Sequence, residues 1–225
     1  MGSDARQFPA RPLDPRAKLT REGVVAKAQE LLRSEGVDGL TMRRLAAEFE
    51  VAPRTLYTYV RDKDDLLGAV VEAVVQEFPL PPRRGSWKTQ MRQLMKTLHG
   101  VLVANPFIVD LRFRGPIVGR RQLLLNEVGL RILIDGGFRK RDAAFAYRSL
   151  LVMTFGFAAF GPPAESRMHE RTVDAALGAL PPEEFPSLHA ARTETAATHA
   201  PGFALYDFLL ERALTGLEPL ARRRQ

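Results

Sequence analysis

Side chains able to grip a nucleic acid crowd into one stretch, residues 41–60. Arg43, Arg44 and Arg54 supply guanidinium groups, and Thr41, Thr55, Tyr57, Thr58 and Tyr59 supply hydroxyls; Lys63 follows just beyond. A guanidinium can bond both acceptors of a guanine edge, and a threonine methyl can meet the methyl of thymine. Hydroxyls and an ammonium suit phosphate oxygens. The same residues also fit a plainer reading, the solvated face of a helical hairpin. Arg44 could pair with Glu48 at i, i+4, and the Tyr57 ring could pack partly beneath Leu45.

The elements that would position these groups are two short helices and a tight turn. Thr41 suits the N-cap of the first, because its hydroxyl can accept an orphan backbone N–H. Leu45 and Phe49 share a face at i, i+4, and Ala46 leaves room for a close crossing. Pro53 suits the first position of the second helix, where no N–H is needed. Leu56 and Val60 give that helix an apolar side, and Arg54, Thr55, Thr58 and Tyr59 occupy the other. Two short helices joined this way make a helix-turn-helix, whose second helix fits a major groove. Thr20 to Glu35 reads as a supporting helix with Val24, Ala28, Leu31 and Leu32 on one stripe and Gly36 as a left-handed cap. Asp62 and Asp65 form a capping-box pattern at the head of a fourth, strongly apolar helix that runs to Phe78.

The run Leu19-Thr20-Arg21-Glu22, Leu31-Leu32, Gly36 to Thr41, Arg43, Leu45-Ala46, Thr55-Leu56-Tyr57, Val60, Lys63 and Leu66-Leu67 resembles the DNA-binding domain of the tetracycline repressor (TetR) family. The resemblance places Arg43, Pro53, Arg54 and Thr55 at base-reading positions. It places Thr41, Tyr57, Tyr59 and Lys63 at phosphate-contacting ones; Arg44 and Thr58 complete the candidate DNA-binding set. It also implies operator DNA and a small-molecule effector as partners. One departure stands out: Glu50 occupies the turn position where the family usually has Gly, and Glu tolerates positive φ poorly.

Beyond Pro79-Leu80-Pro81-Pro82 the chain reads as helices only, at Trp87–Ala104, Phe107–Phe113, Val118–Ile134, Asp142–Phe160, Arg167–Leu180 and Gly202–Leu220, with a loop over Glu183–Ala200. The fold class expected is all-α. A flexible arm is expected at 1–17, a DNA-binding domain at 18–65 and a ligand-binding and dimerisation domain at 66–225. Asn105-Pro106 and the tail from Gly202 to Glu218 resemble the tetracycline-repressor-type C-terminal domain, which implies that 142–160 and 202–218 pair with a second copy as a four-helix bundle. Two apolar helices also exceed what one small bundle buries, which independently favours a homodimer; a fully intramolecular core is the alternative.

Candidate effector-lining residues are Trp87, His99, Asn105, Phe107, Phe113, Asn126, Leu130, Tyr147 and Leu151, each of which could instead be ordinary core. They favour an apolar or aromatic effector. Pro79 and Val101 stand where the tetracycline repressor has its two drug-site histidines, so the resemblance does not extend to tetracycline with magnesium. His99, His169, His189 and His199 have no metal-ligand spacing, and neither a phosphate loop nor a nucleophile elbow is present, so no enzyme and no cofactor is expected. The alternative to a regulator is a helical protein-interaction module without specific DNA binding.

Composition narrows the setting. The 225 residues carry no cysteine, which fits a reducing cytoplasm, and 45% of them are hydrophobic, ample for a core. No run of 18 apolar residues and no hydrophobic leader is evident, so no membrane span is expected. The net charge is +7, yet residues 1–75 hold 12 basic and 12 acidic side chains, whereas 83–141 hold 13 basic and 3 acidic. The excess therefore lies away from the helix-turn-helix, as a solvated surface or as a bias toward an anionic ligand.

Overall fold

In the computed structural model, the residues described are 19–115, 119–160, 167–197 and 204–221. They form helices only, in two compact units that divide at Gln76 and Glu77.

The first unit is built on α1 (Arg21–Gly39), α2 (Met42–Glu48), α3 (Pro53–Leu56) and α4 (Lys63–Gln76). Thr20 and Thr41 act as N-caps, their hydroxyls accepting from the backbone N–H of Gly23 and Arg44, each at 3.0 Å. Val24, Ala28, Leu31 and Leu32 of α1 are buried with Leu45, Ala46, Leu56 and Val60. Gly36, at φ 71°, leaves the helical conformation and kinks the span of α1, so the regular helix stops there as its sequence position suggests. Asp62 Oδ1 accepts from the N–H of Asp65 at 2.7 Å, and Asp65 reaches back to the N–H of Arg61 at 3.0 Å, so the capping box closes one residue early. α3 is shorter than the sequence pattern suggested. After Leu56 the N–H groups of Thr58 and Tyr59 turn to carbonyls three residues back, tightening the helix into turns.

The second unit holds α5 (Trp87–Ala104), α6 (Phe107–Arg114), α7 (Arg120–Asp135), α8 (Lys140–Phe160), α9 (Arg167–Gly178), α10 (Pro186–Ala190), α11 (Arg192–Ala197) and α12 (Ala204–Leu217), followed by a 3-10 turn at Glu218–Leu220. α5 packs on α7 and α8, and α12 packs on α5 and α8. One expectation is corrected here. The segment expected as a loop over Glu183–Ala200 holds helices at Pro186–Ala190 and Arg192–Ala197, and 198–200 lie outside the described residues. Pro186 starts α10, His189 Nε2 lies 2.6 Å from the Leu180 carbonyl, and Arg192 grips Asp174 with two 2.7 Å bonds. These tertiary ties leave no apolar period in the sequence. α8 is long and apolar enough to match a membrane span by length and composition, a test that the core helix of a globular unit also passes. Phe145, Val152 and Phe160 on it are 67%, 57% and 89% exposed. Val118 and Phe203, expected inside helices, lie outside the described residues.

Candidate nucleic-acid interface and effector interior

The turn between α2 and α3 decides how α3 is presented. The N–H of Val51 bonds the Ala46 carbonyl at 3.2 Å and that of Glu50 the Ala47 carbonyl at 3.2 Å. This is the Schellman pattern, which requires a left-handed residue after the helix. Glu50 is that residue, at φ 55°, and it is the one non-glycine positive φ among the described residues. The turn keeps its shape and Glu50 carries the strain.

Arg54, Thr58 and Tyr57 of this region are exposed, Tyr57 by 51%, while Thr55 and Tyr59 are half-buried and Leu56 is fully buried beneath them. Tyr57 is therefore no part of the core under Leu45. Thr41, Arg43 and Pro53 are exposed too. Lys63 reaches back to the Val37 carbonyl at 3.4 Å, a long bond that leaves donors free. Arg44 differs. Its guanidinium holds Glu35 at 2.9 and 3.1 Å and also bonds Glu48. Those bonds, Glu48 first and Glu35 second, raise its pKa, and Arg44 holds Glu48 below the usual carboxylate range. Arg44 ties α1 to α2, and Lys27 joins the same network through Glu30 and Glu48.

In the second unit the candidate effector residues separate. Trp87 packs edge-on against Phe138, ring centres 4.9 Å apart, and a Cβ on Gly136 would stand 2.6 Å from the Trp87 Cβ; it is a corner clamp. Asn105 caps α5, donating to the Val101 carbonyl at 2.9 Å. Phe107 is core at 2% exposure, whereas Phe113 is 74% exposed. Tyr147 lies flat against Gly129 and shares its hydroxyl with the Leu125 carbonyl and Asn126 Oδ1, both at 3.2 Å; burial pushes its pKa up. Leu130 and Leu151 are half-buried.

His99, 6% exposed, stacks on Tyr206 at 3.9 Å with the rings 8° from parallel, and Phe157 meets both edge-on. The Tyr206 hydroxyl lies 2.9 Å from that of Thr154 and 3.1 Å from the Met95 carbonyl, which pins α12 to α8 and α5. Burial raises the Tyr206 pKa to about 12 and lowers that of His99, the latter opposed by Asp207. Thr154, Tyr206 and Phe157 were absent from the candidate set. The signal available was a threonine and a tyrosine standing inside otherwise apolar helices.

The basic excess is partly explained here as well. Lys88, Arg92 and Lys96, one turn apart on α5, meet Glu218 just past the antiparallel α12 and Glu211 and Asp207 on it; Lys88–Glu218 is 2.6 Å and Lys96–Asp207 2.7 Å.

Residues 24–70 match the model for bacterial regulatory proteins of the tetR family, and residues 78–220 match that for the tetracyclin repressor-like C-terminal domain. The chain belongs to the TetR family. Among TetR-family relatives, the repressor DrrR1 of Streptomyces coeruleorubidus is 26% identical, with 94% of this chain and 82% of that protein aligned. The class D tetracycline repressor from Escherichia coli is 31% identical over 62% of this chain, and the match spans 65% of that protein. A regulator of Saccharopolyspora erythraea is 34% identical, but only 55% of its length is spanned. Among solved structures, ActR of Streptomyces coelicolor in complex with (S)-DNPA superposes with a TM-score of 0.77 at 26% identity, covering 90% of this chain and 98% of that one.

Proposed function

We propose that this chain is a homodimeric, cytoplasmic transcriptional repressor that binds a pseudo-palindromic operator and is released by a small molecule. The observation that carries the reading is the Schellman turn at Glu50, which presents Arg54, Thr55, Tyr57 and Thr58 on one outward side above a buried Leu56. Arg43, Pro53, Arg54 and Thr55 read bases; Thr41, Tyr57, Tyr59 and Lys63 hold phosphates. Arg44 leaves the DNA-binding set, since its guanidinium is engaged by the carboxylates of Glu35 and Glu48.

Residues 18–65 form the reading domain and 66–225 the effector and dimerisation domain. α4 follows the reading helix directly and ends where the first unit does, which makes it the element proposed to carry the effector signal to the reading head. The effector is largely apolar or aromatic and lies along His99, Asn126, Leu130, Tyr147 and Leu151. ActR is known in complex with (S)-DNPA and with actinorhodin, which supports an organic effector of modest size. The second copy covers Phe145, Val152 and Phe160 of α8 and Leu205, Phe208 and Leu209 of α12, all exposed in the single chain.

Footprinting on genomic fragments tests the reading. Two half-sites with centres about 34–36 Å apart are expected from a two-fold dimer. A monomer protecting one asymmetric half-site would refute it.

A further inference from the structure

One stripe of α7 carries amides where an apolar side chain would pack. Gln122, Leu125, Asn126 and Gly129 repeat at intervals of three and one, on the helix face where Leu125 and Gly129 are buried. The Oε1 atom of Gln122 is buried and accepts no hydrogen bond. Asn126 Oδ1 lies 3.2 Å from the Tyr147 hydroxyl, while the Asn126 NH2 group meets no acceptor among the described residues. A buried acceptor without a donor disfavours the folded state, so packing alone does not account for Gln122. The surroundings are neutral. α7 packs on α5 and α8, and no lysine, arginine, aspartate or glutamate is buried among the described residues. Burial disfavours the charged form of His99, the one titratable imidazole on the facing side of α5. The charged residues of α7 itself point elsewhere. Arg121 donates to the Phe78 carbonyl, Arg131 lies 4.0 Å from Asp135, and Arg120 and Glu127 are exposed.

We propose that Gln122 and Asn126 are the polar anchors of the effector, and that the effector is an uncharged aromatic ketone bearing a free hydroxyl. The hydroxyl donates to Gln122 Oε1, and the Asn126 NH2 group donates to the ketone oxygen. This rests on the regulator reading above and narrows its ligand. Four residues of helix set the two anchors about 6 Å apart along α7, a span that a para-hydroxyaryl ketone bridges through its ring. An ionised ligand would meet no counter-charge in this interior, which is strongly unfavourable. None of the described basic residues over 83–141 is buried, so the basic surplus there supplies no anion site inside. A pocket that hydrogen-bonds a ligand hydroxyl rejects analogues lacking it, because its own polar group is then left unpaired. Gln122 Oε1 is such a group, held ready before the ligand arrives.

The test uses the full chain, equilibrium dialysis at a pH where the phenol stays protonated, and four probes of similar size. They are 4-hydroxybenzophenone, 4-methoxybenzophenone, 4-hydroxydiphenylmethane and 4-benzoylbenzoate. 4-Hydroxybenzophenone should bind about tenfold or more tightly than the methoxy compound, which cannot donate, and than the diphenylmethane, which has no carbonyl. The carboxylate should bind weakest. In Gln122→Leu the gap between hydroxy and methoxy compounds should close while the carbonyl-dependent gap stays. In Asn126→Leu the reverse should hold. With no probe present, Gln122→Leu should melt at a higher temperature than the wild type, because the unpaired oxygen is gone. Gln122→Met, closer in shape, repeats both measurements should leucine disturb the packing. Equal affinities for the hydroxy and methoxy compounds, a gap that persists without Gln122, or tightest binding by the carboxylate would overturn the assignment. So would failure of all four probes to bind, or lowered melting temperatures in both Gln122 variants. Operator footprinting of the unliganded wild type is read separately: failure there refutes the regulator, whereas failure among the probes refutes only the effector class.

Discussion

Glu50 shows what one side chain can carry. A left-handed backbone costs a non-glycine residue about 1–2 kcal/mol, and glycine removes most of that at some entropic expense. Glu50→Gly should therefore stabilise the protein by roughly 0.5–1 kcal/mol, read as a raised melting temperature with operator binding retained. The odd residue was visible in the sequence; that the turn would keep its geometry and absorb the strain was not, because only the two backbone bonds to Ala46 and Ala47 decide it. Arg54 and Lys63 should part company. Arg54→Ala should cost roughly 1–3 kcal/mol and relax base preference, whereas Lys63→Ala should weaken all sequences alike and lower the salt slope by the share of one phosphate. Uniform losses across operator variants for both would remove Arg54 from the reading set. Arg44 was legible only as an ambiguity, since its pairing with Glu48 follows from spacing but its bond to Glu35 depends on how α1 crosses α2. His99 gives a pH signature. Burial lowers its pKa below the ordinary 6.5, so the unfolded chain takes the proton first as pH falls. Stability should be full above about pH 6.5 and decline below it, and His99→Gln should flatten that decline in urea titrations.

At the scale of helices, periodicity located the elements well wherever an apolar stripe existed. α5 runs over the span that its pattern marks, Trp87 to Ala104. It failed where tertiary ties substitute for a stripe, as in α10 and α11. It also could not say which apolar residues of a helix face inward. Leu209 and Leu210 are adjacent leucines of α12, yet Leu210 is fully buried inside the unit and Leu209 is 36% exposed. Leu209→Glu should leave a helical monomer by sedimentation, with operator binding abolished. Leu210→Glu should instead unfold the second unit, since a lone charge cannot be accommodated in a packed interior. A dimer that survived Leu209→Glu would move the interface off α12.

For the molecule as a whole, repression and release require two sites that bias one equilibrium. An effector that bound both states equally would shift nothing. The expected coupling is about 1–3 kcal/mol and must be mutual, so saturating operator should weaken effector binding by the factor by which effector weakens operator binding. Titration calorimetry with and without operator duplex measures the coupling, and an effector affinity that saturating operator left unchanged would exclude it. Trp87 is the only tryptophan. Because it clamps the corner at Phe138 rather than lining the His99 cluster, its emission should report poorly on effector entry, and Tyr206→Phe is the better probe of that interior. The sequence marked the reading head through residue types in a fixed order. It left the effector interior faint because a tyrosine that lines a cavity and one that fills a core look alike until their partners are known.

The ion pairs between α5 and α12 have one more property. Lys88, Arg92 and Lys96 repeat every four residues, and so do Asp207 and Glu211. A slip of one turn, about 6 Å, would let Arg92 take Asp207 and Lys88 take Glu211. The charges therefore set the antiparallel direction of α12 but separate the two registers by only one pair of three. The Tyr206 hydroxyl, satisfied only where Thr154 and the Met95 carbonyl coincide, is what selects one register from the two. Tyr206 works as the index pin of a ratchet whose teeth are ionic.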